Sequence, residues 1–450
     1  MIRSNILGAM ALAVGLNSLV SASDWPRFRG PNGSGISVDA EPTPVAWSHE
    51  KNVRWKTSLP GAGVSSPIVV GDRLFVTCYS GYGANFGKIE ELKRHVVCVD
   101  RSSGKILWEK AVDAALPEDS YSGMGIPAHG YASHTPVSDG KCVYVFFGKS
   151  GVLAFDLDGK QIWQTGVGTE SDSRRWGSAS SPILYQNKII VTASAESEAL
   201  IALNAESGEI VWREEAAGLA NVWGTPLLVQ VDDERTDLVL GVPYEIWGFN
   251  PDSGKLRWYA EAPAGDQYSS SVVAVQDVVY SIEGRGGGST AVRAGGKGDV
   301  TKSHTVWSGS ESSRFGTPVV YQNHVYYFSG SVAGCTDAKT GRKIFQGRLD
   351  GGSDSAGDDG GSGRSSSGRG FGRGGGGSDY SSPIIADGKV YYVQSSGKCF
   401  VLKAGDEFEQ LAVNSVTTDR ESFGATPAIS NGEIFIRSDK HLYCVSESAK

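Results

Sequence analysis

The chain has 450 residues and a formal charge of −8, from 42 Lys and Arg against 50 Asp and Glu, which excludes a general nucleic-acid binder because phosphate contacts demand a basic face. Gly is abundant at 60 residues, Trp frequent at 11 and Met scarce at 3, a composition that suits short strands and tight turns better than helices. The length is compatible with two or three ordinary domains or with one large closed array.

Residues 1–22 differ from everything after them. Arg3 supplies a positive start, Ile6 to Val20 an apolar stretch broken by Asn17 and Ser18, and Ser21-Ala22-Ser23 the small residues of a cleavage site. This predicts a secretory signal peptide over 1–22, too short and too interrupted for a membrane span. No Cys follows it to carry a lipid anchor. No later run approaches the roughly 18 apolar residues of a span. The expectation is a mature chain exported to the periplasm or cell envelope.

From residue 66 onward a unit repeats. [Ser/Thr]-Pro followed by alternating apolar residues occurs at Ser66-Pro67, Thr135-Pro136, Ser181-Pro182, Thr225-Pro226, Thr317-Pro318, Ser382-Pro383 and Thr426-Pro427, and Ser270-Ser271 takes the same place without Pro. These eight starts are spaced by 46, 44, 45, 47 and 44 residues, and by 69 and 65 where there are insertions; a four-stranded propeller blade occupies about 40–45 residues. In one unit, "SSPILYQNKIIVTAS" gives two strands about a polar turn. "EALIALNAESGEIVWRE" gives two more about Asn204 to Gly208, a turn whose Gly supplies positive φ. The turn recurs at Asp100 to Gly104, Asn250 to Gly254 and Asp337 to Gly341, and one residue shorter at Asp156 to Gly159. The fold class predicted is all-β, an eight-bladed β-propeller over 24–450.

Two columns of the repeat carry a packing argument. The fourth strand holds Trp108, Trp163, Trp212, Trp258 and Trp307, then Phe345 and Leu411, as wedges between blades; each buried wedge contributes on the order of 1.5–3 kcal/mol. The third strand holds Cys98, Ala154, Ala202, Gly248, Ala291, Cys335, Val401 and Cys444, mostly small. Three cysteines thus stand where other blades have Ala or Gly and read as small apolar residues. Cys78 with Cys98 is the one pair that neighbouring strands suggest as a disulfide, and no C-x-x-C marks a zinc or redox site. The last unit stops after three strands, whereas "NVRWKTSLPG" with Trp55 precedes the first. The N-terminal strand is therefore expected to complete the last blade and remove the open edge.

The unit Asp-x-x-[Ser/Thr]-Gly-x-x-x-Trp with [Ser/Thr]-Pro starts resembles the repeat of PQQ-type propellers, a superfamily holding the quinoprotein alcohol dehydrogenases and the assembly factor BamB. "DWPRFRGPNGSG" (24–35) and "NVRWKTSLPG" look like exported planctomycete-type members. The resemblance covers about 24–446 and implies the fold; it leaves function open. For a dehydrogenase it implies pyrroloquinoline quinone in the central funnel, calcium held by acidic and amide side chains, a catalytic Asp and a vicinal Cys-Cys. This sequence has no Cys-Cys and no C-x-x-C-H. Its carboxylates fall mainly in blade turns, such as Asp100, Asp158, Glu206 and Asp252. No catalytic, cofactor-binding or metal residue is therefore assigned, and PQQ and calcium are not expected.

Just before the unit starts stand Tyr131, His134, Trp176, Trp223, Tyr268, Arg314, Phe315, Tyr380 and Phe423. They should ring one mouth of the channel, either as binding anchors or as residues that plug and pack it. His129 and His134 lack a third ligand for a metal. The insertions "GYGANFGKIEELKR" and "DAALPEDSYSGMGIPAHGY" extend blade 1 and are candidate partner-contacting loops. Residues 350–379, rich in Gly and Ser, read as a disordered loop between blades 6 and 7. The function expected is a monomeric, non-catalytic propeller that binds a protein or envelope component in the manner of BamB. The alternatives are a PQQ-dependent oxidoreductase and a carbohydrate binder.

Overall fold

The computed structural model describes residues 24–39, 41–82, 87–120, 129–263, 265–283, 287–313, 315–351 and 379–447. The expected signal peptide, Arg314 and nearly all of the Gly/Ser-rich segment lie outside the described residues.

Eight sheets, antiparallel but for one added strand in the fourth, follow one another along the chain, each with its strands in sequence order except the last. Blades 1 to 7 begin with the strands Ile68–Val70, Val137–Ser138, Ile183–Tyr185, Leu227–Gln230, Val273–Val275, Val319–Tyr321 and Ile384–Ala386. The eighth combines Ala428–Ser430, Glu433–Arg437 and His441–Val445 with Val53–Ser58 from near the N-terminus. Val53–Ser58 pairs antiparallel with His441–Val445, setting Trp55 opposite Cys444. The eighth blade is thus shared between the two ends of the chain. An eight-bladed β-propeller with strand closure results.

The two sequence columns face each other across the outer strand pair. Cys98 lies opposite Trp108, Ala154 opposite Trp163, Ala202 opposite Trp212, Gly248 opposite Trp258, Ala291 opposite Trp307 and Cys335 opposite Phe345. The small residue leaves room for the indole to lie flat on the sheet; a Cβ at Gly248 would run into the Trp258 ring. In blade 7 the residue opposite Val401 is Ala412, whereas Leu411 is 38% exposed. Leu411 is therefore not the wedge of that blade. Nor do Cys78 and Cys98 meet: Cys78 pairs with His95 and Cys98 with Phe75, and all six cysteines are free.

Five of the six indoles also reach the next blade. The Nε1–H donates to the carbonyl of the second residue of the following turn: Trp55 to Arg101 at 2.9 Å, Trp108 to Leu157 at 2.8 Å, Trp163 to Ala205 at 2.9 Å, Trp212 to Pro251 at 3.1 Å and Trp307 to Ala338 at 2.8 Å. The turn is prefolded by its first side chain. Asp100 accepts the Ser103 N–H at 2.8 Å and the hydroxyls of Ser102 and Ser103 at 2.7 and 2.6 Å, bonds that hold its carboxyl down at about 2. Blade 5 lacks this turn. In its place Gly298–Asp299 adds a parallel strand to blade 4, and Trp258 donates instead to the buried Asp237 at 2.7 Å.

At the centre, the [Ser/Thr] residues form a closed ring. The backbone N–H of each donates to the hydroxyl of its counterpart in the next blade, in the order Ser66, Thr135, Ser181, Thr225, Ser271, Thr317, Ser382, Thr426 and back to Ser66, at 2.8–3.1 Å. Ser and Thr alternate strictly around it. A hydroxyl residue is needed because each member must accept one such bond; the Pro that follows holds it extended. The ring corrects the register of blade 5: its member is Ser271, so Val272, not Ser271, stands in the Pro position.

Residues 24–39 run as a strap across the inner strands. Trp25 pairs with Val69 of blade 1, Pro26 accepts the Ser138 N–H of blade 2 at 2.9 Å, and Ile36 bridges to Ile385 of blade 7. Arg29, 1% exposed, donates to the carbonyls of Thr317 at 3.3 Å, Pro318 at 2.7 Å, Pro383 at 3.0 Å and its own strap's Ser34 at 3.1 Å. Gly35 passes beneath this guanidinium, where an added Cβ would lie 2.5 Å from Nη2.

Candidate binding site at the propeller mouth

Because each ring residue opens an innermost strand, the residues just before it share one end of the molecule. Four of those singled out by sequence are partly exposed and stand as two pairs. Trp176 and Trp223 lie 5.5 Å apart between centroids, with the Trp223 indole donating to Gly177 O at 2.8 Å. Phe315 and Tyr380 stack at 4.6 Å. Arg174 covers Trp176 at 5.3 Å and pairs with Asp266 at 2.5 Å. The other described ones are buried. Tyr268 bonds to Ser281, Phe423 stacks on Tyr443, and Tyr131 donates to Asp119 O at 2.6 Å beneath Arg94. Of the blade tryptophans, Trp55, Trp163, Trp212, Trp258 and Trp307 are buried and Trp108 is half-buried.

His134 leads to a cluster that the sequence reading did not assemble. It lines a pocket of about 20 Å³ between blades 1, 2 and 3, room for a water-sized group. Two buried ion pairs frame it. Arg94, from the third strand of blade 1, donates to Glu118 Oε2 at 2.7 Å. Lys149, from a turn of blade 2, meets Asp119 at 3.1 Å, Ser171 Oγ at 2.9 Å and Pro117 O at 3.3 Å, using all three of its N–H groups. Deeper, Ser178 donates to Glu196 Oε1 at 2.6 Å, and His134 Nε2 lies 3.1 Å from the same hydroxyl. Glu196 and His134 are 3% and 6% exposed. Burial pushes the Glu196 carboxyl up to about 7 and holds the His134 imidazole down at about 3, where Arg94 and His129 add repulsion. Apart from Arg94 on its blade strand, these residues come from blade turns and links outside the repeat, so periodicity could not point to them.

At the centre no ring residue is more than 8% exposed, the largest being Ser271, and Arg29 lies buried against the carbonyls of blades 6 and 7. Among the described residues no three His, Cys, Asp or Glu side chains gather to hold a metal. No helix of the described residues is long and apolar enough to cross a membrane.

Fold and repeat define a propeller of the PQQ-like class. The profile of the family described as outer membrane protein assembly factor BamB matches residues 89–197 and 184–361, more than half of the chain, and the protein belongs to that PQQ-like propeller family. Among curated relatives, a polyvinylalcohol dehydrogenase of Pseudomonas sp. is 24% identical over 268 residues, covering 48% of this chain and 37% of the relative. The outer membrane protein assembly factor BamB of Burkholderia pseudomallei is 28% identical over 160 residues, 35% of this chain and 32% of the relative. The chain therefore spans about a third of the length of each. The crystal structure of BamB from Moraxella catarrhalis superposes with a TM-score of 0.56 at 12% identity, over 88% of this chain and 97% of that one, a likeness of fold.

Proposed function

We propose that the chain is an exported, non-catalytic propeller, monomeric, that binds a protein or an envelope component in the periplasm or cell envelope. The observation that carries this is the contrast between a rigid hydrogen-bonded ring at the centre and the charged and aromatic side chains that gather before the ring residues of blades 2 to 4. A rigid ring with a chemically varied end is the build of an interaction scaffold. The family description, an outer membrane assembly factor, supports an envelope role.

A second reading is a PQQ-dependent oxidoreductase, favoured by the similarity to polyvinylalcohol dehydrogenase. Titrating the purified chain with the quinone plus calcium, followed by fluorescence, separates the two. The scaffold predicts no saturable binding. Saturation in the micromolar range, with dye reduction by an alcohol, would reverse the assignment.

A further inference from the structure

The pocket between blades 1, 2 and 3 holds two buried acceptors that meet no side-chain donor. Ser178 gives its only proton to Glu196, so the bond between His134 Nε2 and that hydroxyl requires Nε2–H as donor. His134 Nδ1 is then a bare acceptor, and it has no partner. Glu196 Oε2 meets no donor beyond its own backbone amide. Both side chains line the cavity. Arg94 and Lys149 pair directly with Glu118 and Asp119; Arg94 acts on Glu196 only through its field, and no cation pairs directly with the Glu196 carboxylate. A buried acceptor without a donor is destabilising, and more so when charged.

We propose that this pocket binds a primary ammonium group, supplied by a lysine side chain of the partner protein. The choice follows from three properties of the site. Two buried acceptors without a donor, His134 Nδ1 and Glu196 Oε2, call for a group with several N–H bonds and no lone pair. The unmatched carboxylate calls for positive charge. The small pocket suits a compact ammonium head better than the broader guanidinium fork, and a quaternary ammonium would offer no N–H. Burial raises the affinity of Glu196 for its proton, in keeping with a carboxyl that has no direct cationic partner in the free chain. The partner's identity as a protein rests on the scaffold reading above; the ammonium chemistry does not.

Isothermal titration of the mature chain at fixed ionic strength tests this. Nα-acetyl-lysine amide and propylammonium should bind saturably, and Nα-acetyl-arginine amide and tetramethylammonium should not. Glu196→Gln should weaken lysine-amide binding about tenfold, the loss expected for one charge-assisted bond, with its thermal melt recorded to show that it folds. Gly148→Ala is a second, charge-preserving variant, because the new Cβ would stand 3.1 Å from Glu196 Oε1 and narrow the pocket; it too should weaken binding. Equal binding of lysine and arginine derivatives, or unchanged binding by both variants, would overturn the site. Vesicles containing phosphatidylethanolamine form a further arm. Their capture through Glu196 would overturn the protein source while leaving the ammonium site standing. Quinone binding would overturn the scaffold alone.

Discussion

The backbone N–H of Thr426 donates to the Ser66 hydroxyl at 3.1 Å across 360 residues of sequence, closing the central ring of eight bonds. The Trp55 strand seals the outer half of the same junction. Ser66→Ala would leave the Thr426 N–H buried without an acceptor, at a cost of about 1–3 kcal/mol. Ser66→Thr restores the hydroxyl in a form that alternate blades already use, and should be close to neutral. Urea unfolding midpoints of the two variants check this. If Ser66→Ala unfolds with the wild-type midpoint, the ring bond is not contributing to closure.

What the sequence revealed follows from what repetition can reveal. The Trp wedge, the small residue opposite it and the turn before it recur in most blades, because each blade meets the same steric demand. Where the markers lapse, register slips by one: without Pro, Ser270 and Ser271 were indistinguishable, and without Trp, Leu411 displaced Ala412. The strap and the pocket lay beyond this logic. Arg29 finds its carbonyls 288, 289 and 354 residues away, and Glu196 gains its meaning only from His134 and Ser178 on other segments. Such convergence leaves no period to detect.

The turn glycine does two things at once, and they can be separated. Gly208 has φ +74°, and a Cβ there would lie 2.6 Å from the Trp163 ring, whereas Gly388 at φ +65° faces open space. Gly388→Ala should cost only the left-handed backbone penalty, about 1–2 kcal/mol. Gly208→Ala must in addition displace the indole and its bond to Ala205, which adds about 1–3 kcal/mol. Denaturant melts of the pair would show Gly208→Ala as clearly the weaker; equal losses would mean that the indole adapts freely.

Arg29 ties the strap to blades 6 and 7 through carbonyls, with no carboxylate in its hydrogen-bond set. That arrangement needs the planar fork, whose separated N–H groups reach several acceptors at once. Arg29→Lys keeps the charge but offers one compact head on a shorter stem. It should lose at least one charge-assisted bond, about 1.5–3 kcal/mol, and loosen the strap. Amide hydrogen exchange at Ser37 and Ile385, which bond across the strap–blade 7 junction, should quicken in the variant. Wild-type exchange there would argue that Arg29 is a passive filler.

The pocket makes stability depend on pH in a way that one substitution can isolate. Burial raises the Glu196 carboxyl to about 7 in the folded chain from 4.5. The folded state therefore binds this proton more tightly, and the group's contribution is fully present below about 4.5 and lost as pH rises through about 7. The full loss is on the order of 3 kcal/mol. His134 runs the other way. Held down at about 3 from 6.5, it contributes when neutral, and that contribution is lost as pH falls from 6.5 toward 3. Glu196→Gln removes only the alkaline limb. Its amide oxygen can still accept from Ser178. The variant should therefore match wild type near pH 5 and exceed it at pH 8, by an amount that grows across neutrality in urea midpoints. A difference that stays constant from pH 5 to 8 would mean that Glu196 is ionised throughout that range, its charge already compensated in the folded chain.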